Sequence, residues 1–261
     1  MKFLRIPLSK SLFMDFCYIP AGGFLMGTDY DESDSLSNID ESPQHIKNLS
    51  EYLIGKYPVT NKQYLLFTQQ TGYKNPVHLL DGIIPEGKEN HPVVNVNLMD
   101  VHYFCKWMRE ITNYFIFVPG EAQWEKSARG ENGKLYPWGN SDPDDSMLNY
   151  RNTIQDTTSV DQFPKGSSCY GACDMAGNVW EWTESPFVGY RGDKFNPSYF
   201  QGDKHYVIRG GSWASRDCDV RCANREGKFY ADRESNLGFR CACSTSIKPN
   251  NNSPIIRFVD M

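Results

Sequence analysis

An α+β fold with little regular secondary structure is what this sequence predicts, and three observations carry that prediction. Every stretch with helical periodicity lies before Gly130. Residues 131–245 alternate turn formers with short apolar or aromatic pieces, without a long helical period. Helices early and strands late argue against a doubly wound sheet, which needs the two to alternate. Finally, Gly 21 and Pro 15 are spread evenly over 261 residues, so turns are frequent and no linker stands out. One large domain over residues 1–245 is expected, followed by residues 246–261. The Pro-Asn-Asn-Asn-Ser run there predicts a loosely held tail.

The elements follow in order. Residues 17–27 read as a short strand, a Gly-Gly turn and a second strand. Asp29 to Asp40 is an acidic, serine-rich loop, and residues 51–57 form a strand that Pro58 ends. Thr60 or Asn61 caps a helix that runs through Phe67. Residues 72–92 are loop-like. From Asn97 to Thr112, Val101, Phe104, Cys105, Met108 and Ile111 recur on one helical face. A third helix starts near Pro119 and stops at Gly130.

Charge and composition exclude several function classes. The formal net charge of -5 leaves no basic face for nucleic acid. No run approaches the roughly 18 apolar residues of a membrane helix. Ser9, Lys10, Ser11 and Asp15 break the N-terminal apolar stretch, so it is not a secretory leader and a cytoplasmic location is expected. Eight cysteines permit bridges, yet in that compartment thiols or metal ligands are the expectation. The five histidines lack H-E-x-x-H or facial-triad spacing.

Several segments now align, in order, with one family. They are IPAGGFLMG (Ile19 to Gly27), GKYPVTNKQYLLF (Gly55 to Phe67) and HPVVNVNLMDVHYFCKW (His91 to Trp107). PGEAQWEKSARG (Pro119 to Gly130), YPWGN (Tyr136 to Asn140), DMAGNVWEWTE (Asp174 to Glu184), IRGGSW (Ile208 to Trp213) and NLGFRCA (Asn236 to Ala242) complete the series. Over residues 17–243 the chain resembles the formylglycine-generating enzyme, or sulfatase-modifying factor, family. That resemblance implies a C-type-lectin-like fold. The family also includes sulfoxide synthases, regulatory modules and retroelement-diversified variable proteins, so it fixes fold better than function.

For the oxidases of the family the resemblance implies two thiols after Gly-Gly-Ser that bind copper(I) and activate oxygen; soft thiolates suit that ion. In this chain the first thiol position holds Ser215 and the second holds Val220. A catalytic pair would have to be Cys218 and Cys222 in shifted spacing, with copper as cofactor. Cys218, Cys222, Cys241 and Cys243 could instead form a zinc site, or be buried structural thiols. The resemblance further implies calcium at Asp174, Gly177, Val179 and Glu181, and a second calcium at Asn149, Tyr150, Asp156 and Thr158. An alternative role for Glu181 is an ion pair with Arg209 or Arg240.

Between RGGSW and LGFRCA lies an interval framed by Arg221, Ala223 and Arg225. Diversified members of the family carry their ligand contacts there. In this chain Ser215, Arg216, Asp217, Asp219, Lys228, Phe229, Tyr230, Asp232 and Glu234 would make a mixed polar and aromatic contact surface. The sequence thus predicts a non-catalytic module that binds a protein or small-molecule ligand over residues 214–236, with a rim near Tyr190 and Tyr230. A copper-dependent oxidase and a structural or regulatory subunit of a larger assembly are the alternatives.

Overall fold

The computed structural model describes residues 2–29, 39–190, 204–245 and 259–260. Strands β1 (Lys2–Pro7), β2 (Phe13–Ile19) and β5 (Tyr52–Gly55) join β11 (Ala242–Cys243), β6 (Ile116–Phe117) and β12 (Val259–Asp260) in one sheet, ordered β12-β1-β2-β5-β11-β6. β3 (Gly22–Met26) pairs with β4 (His45–Leu49) as a separate ribbon. A four-stranded sheet of order β10-β7-β8-β9 contains β7 (Trp180–Pro186), β8 (His205–Arg209), β9 (Arg225–Phe229) and β10 (Leu237–Gly238). Pairing is antiparallel in all of these except between β10 and β7.

The β1–β2 hairpin is an element that the sequence reading passed over. Ser9, Lys10 and Ser11, which interrupt its apolar run, form the turn between the two strands, while Arg5 and Asp15 sit at the less buried positions of the strands themselves. Arg5 lies opposite Asp15 and donates to both carboxylate oxygens, at 2.7 and 2.8 Å. The strand expected around residues 17–19 is the end of β2, and the turn that follows is Pro20-Ala21, before the glycines. Residues 246–258 of the expected tail lie outside the described residues, while Val259 and Asp260 pair with β1.

Helix α1 spans Asn61–Thr71, one turn beyond Phe67, because no breaker precedes Gly72; Thr60 accepts from the amide of Gln63 at its start. Helix α2 spans Leu98–Thr112 behind an Asn97 cap, and α3 spans Glu121–Arg129. In α2 the buried face is rotated from the expected one: Ile111 is 41% exposed and Trp107 is buried. Trp107 packs on Phe67 and Phe104 and donates to Gln70, so contact with α1 decides which residues face inward. The largest core cluster joins α1 and α2 to β1, β2, β7 and the segment after β10 through Leu4, Phe16, Tyr64, Phe104, Trp182 and Phe239, while α3 packs in a second cluster through Trp124 and Ala128. No helix among the described residues is long and apolar enough to cross a membrane.

Candidate functional site

The site begins with ion pairs inside the fold. Arg129, Arg209, Arg221, Arg225 and Arg240 are all buried, and each meets a buried carboxylate. Arg209, at the end of β8, pairs with Glu125 and donates to the carbonyls of Cys222, Ala223 and Asn224. Arg225, at the start of β9, grips Glu121 with two nitrogens at 2.7 and 3.0 Å. Arg221 grips Glu41 in the same way at 2.7 and 2.6 Å. Burial alone would raise the Glu125 carboxyl, but Arg209 and Arg129 hold it below the usual carboxylate range. These pairs tie α3 and the loop at residues 39–41 to the segment after β8, and they fix the backbone on which the surface groups stand.

That segment opens with Gly210-Gly211-Ser212, where both glycines have positive φ. Ser215 turns back to accept from the Ser212 amide at 3.0 Å, and Asn236 donates to the Ser212 hydroxyl at 3.1 Å. A short 3-10 turn, Asp217–Val220, follows. Asn224 donates to the carbonyl of Asp219 at 2.8 Å and holds that turn in place. Above these residues lies a cavity of about 500 Å³, whose wall includes Ser212, Ser215, Arg216, Asp219, Asn224 and Glu226. Its lining is polar. Asp40 also borders it, with its carboxyl pushed up to about 6 by burial and by the neighbouring Glu41.

The residues expected to contact a ligand divide into groups. Ser215, Arg216 and Asp219 share the cavity wall. Asp217 faces elsewhere and pairs with Arg151. Lys228 pairs with Glu234 at 2.7 Å, Phe229 packs on Tyr230, and Tyr230 leans on the main core. Those four, with Asp232, lie outside the wall, and Tyr190 borders a second cavity of about 680 Å³ with His45 and Glu121. Asp40, Asn224, Glu226 and Asn236 are wall residues that the sequence reading did not single out. Asn224 had a signal, since it lies inside the Arg-x-Ala-x-Arg frame. Asp40 had none, because only folding brings it to β9.

Cys218 and Cys222 are absent from the cavity wall. Cys218 donates to Asp219 at 3.3 Å, and burial followed by that carboxylate raises its pKa. Cys222 is fully buried in the second core cluster, where burial pushes it up to about 12. Burial disfavours the thiolate form of both, which is the form that copper(I) binds. Cys241 lies 3.9 Å from Cys105, sulfur to sulfur, in the main core. Among the described residues no group of three or more His, Cys, Asp or Glu is placed to hold a metal.

The two calcium sets differ. Glu181 receives Arg240 on both oxygens and Trp124 on one, so its charge is already neutralised inside the protein. Asp174 accepts from Asn178 at 2.9 Å, and burial pushes its carboxyl up to about 7. This first set, with Gly177 and Val179, does not fit a cation while Arg240 holds Glu181. In the second set the Asn149 side-chain oxygen is buried without a partner. Its amide nitrogen donates to the carbonyl of Asp156 at 2.8 Å, which turns the oxygen away from that strand of the loop. Asp156 pairs with Lys88 at the surface, the Thr158 carbonyl accepts from Asn178, and the Tyr150 carbonyl accepts from Thr153. The unpartnered Asn149 oxygen could serve as one ligand of a hard cation, while the Asp156 carboxylate is engaged by Lys88 and by the Thr157 amide.

Residues 8–245 match the sulfatase-modifying factor enzyme 1-like domain. The chain is similar to a hercynine oxygenase of Mycolicibacterium smegmatis, at 28% identity over 86% of this chain and 60% of that protein. It is 32% identical to the serine/threonine-protein kinase Pkn1 of Chlamydia trachomatis, over 84% of this chain and 37% of the kinase. The formylglycine-generating enzyme of Mus musculus is 28% identical over 86% of this chain and 73% of its own length. The chain therefore spans less than two thirds of the first two relatives. Among solved structures, PvdO from Pseudomonas aeruginosa superposes with a TM-score of 0.73 at 25% identity, over 88% of this chain and 94% of PvdO. Treponema denticola variable protein 1 superposes with a TM-score of 0.71 at 22% identity, over 92% of this chain and 98% of its own.

Proposed function

This chain belongs to the sulfatase-modifying factor family, and from that premise we propose that it is a binding module without the family's thiol oxidase chemistry. Its fold is the C-type-lectin-like fold of formylglycine-generating enzymes. The observation that carries the proposal is the cavity wall. Ser215 stands where an oxidase needs a thiol, its hydroxyl is spent on the Ser212 amide, and no thiol lines the cavity. The wall instead offers Arg216, Asp219, Asn224 and Glu226, which suit a polar protein segment or small ligand. In the same reading, calcium bound at the Asn149 oxygen would tie the 149–158 loop to the scaffold. It would supply no chemistry.

The similarity to enzymes keeps an oxidase as the competing reading. Copper(I)-loaded protein should consume no oxygen above background with a Cys-x-Pro-x-Arg peptide, and the peptide mass should stay unchanged. Turnover that disappears in Cys218→Ser would overturn the binding-module reading. A role as one domain of a larger assembly is favoured by the kinase relative, of which the chain matches 37%. Stable co-purification with a genomic neighbour, undiminished by Arg216→Glu at the cavity, would support that role over ligand capture.

A further inference from the structure

The 680 Å³ cavity bordered by Tyr190 shares only Arg225 with the polar cavity assigned above, and it runs beside a strand with an open edge. Strand β4 pairs with β3 on one side and, among the described residues, with no strand on the other. Leu25 of β3 donates its amide to the Glu131 carbonyl at 3.1 Å, away from β4. Leu25 lies opposite Ile46, so the two form a non-hydrogen-bonded pair, and the N–H and C=O of Ile46 point away from β3 as well. Two residues on, those of Asn48 do the same. None of these four groups has a backbone partner among the described residues. Such a row of free groups is a template for one more strand.

The groove beside this edge sets terms for what can be added. Ile46 from β4 is 70% exposed, and Val188 from the segment after β7 is 58% exposed. Most of the polar floor is spent internally. Glu121 receives Arg225 at 2.7 and 3.0 Å and the Tyr190 hydroxyl at 3.1 Å. His45 donates from Nδ1 to the Pro43 carbonyl at 2.9 Å and sets its ring against Tyr190. Lys47 is different: it is exposed and has no ion pair or hydrogen bond among the described residues. Its ammonium leaves the groove with an unanswered positive charge. A second copy of β4 is a poor occupant, because antiparallel pairing through both Ile46 and Asn48 would set Lys47 opposite Lys47.

We propose that the free edge of β4 captures an extended segment of another protein, with a carboxylate side chain opposite Lys47 and an apolar residue beside it. The backbone of that segment would bond to Ile46 and Asn48, and its apolar side chain would cover Ile46 and Val188. The site is independent of what the 500 Å³ cavity binds.

Fluorescence anisotropy of the full chain with a dye-labelled, end-capped Thr-Val-Glu-Val-Thr peptide tests the assignment. The peptide should bind saturably, and about fivefold more tightly than Thr-Val-Lys-Val-Thr, the difference between an opposite and a like charge across a strand pair. Methylating the two Val amides and methylating the Glu amide should have opposite results, one abolishing binding and the other preserving it. Alternate amides of an extended strand point to opposite edges. Ile46→Pro removes an edge donor that makes no bond to β3 and should weaken binding at least about tenfold, with the melting temperature within a few degrees of the parent. Lys47→Glu, at an exposed position, should reverse the preference in favour of the Lys peptide. No saturable binding, equal binding of the two peptides, or an unreversed preference in Lys47→Glu would overturn the proposal. So would a dimer of the unliganded chain that Ile46→Pro dissolves, which would assign the edge to a second copy.

Discussion

Arg240 donates from two nitrogens into the two oxygens of Glu181, each at 2.6 Å, and neither side chain reaches solvent. The same guanidinium reaches the carbonyls of Gly55, Cys173 and Asp174, so one residue joins β5, β7 and the loop before β7. Removing one partner of such a pair leaves a buried charge alone. Glu181→Ala and Arg240→Ala should each cost about 3–5 kcal/mol in chemical denaturation. Replacing both by Leu and Met should cost clearly less than either single change, since the isolated charge then never arises. A double variant as damaged as the sum of the singles would argue against this account.

Gly211 supports the cavity through its backbone. It has φ +72°, and a Cβ there would lie 2.8 Å from Val220 and 2.9 Å from the Asp219 carbonyl. Gly211→Ala is expected to lose at least about 2 kcal/mol of stability, from left-handed strain and displacement of the 3-10 turn. A urea midpoint equal to that of the parent would show that the turn gives way freely.

Asp40 sets a pH dependence. Its folded pKa is raised to about 6, first by burial and then by Glu41, against an ordinary 3.8. The folded state therefore binds the proton more tightly, so this group's contribution to stability is full below the unfolded pKa. It is lost as pH rises from about 4 to about 6. Asp40→Asn should match the parent near pH 4 and exceed it by about 1–2 kcal/mol at pH 8. A variant that is less stable at pH 8 would mean that the charge of Asp40 is needed.

Calcium should act through Asn149. Millimolar calcium should raise the melting temperature of the parent by several degrees, as expected when a ligand well above its Kd binds only the folded state. The rise should vanish in Asn149→Ala and persist in Glu181→Gln, because Arg240 already occupies Glu181. An equal rise in Asn149→Ala would remove that residue from the site. The Lys88 pair with Asp156 is no obstacle, as a half-exposed pair contributes about 1 kcal/mol or less.

By itself the sequence determined the fold class and the positions of the helices, while the β1–β2 hairpin and the order of the sheets came only with the structure. Apolar periodicity and caps placed the three helices, because Thr60, Asn97 and Gly130 act through bonds to residues a few positions away. The ordered motifs identified the family, and Ser215 in the first thiol position is plain in the primary structure. Tertiary structure decided everything that depends on distant partners. Arg240 rather than another arginine answers Glu181, and the Trp107 face of α2 packs inward while Ile111 does not. Ser215, Arg216 and Asp219 reach a cavity that Lys228 to Glu234 do not share, and Ile46, Lys47 and Val188 meet around another. The physical reason is the same in each case. Local hydrogen bonding and periodicity are written in neighbouring residues, whereas burial and charge pairing are settled between segments that only the folded chain brings together.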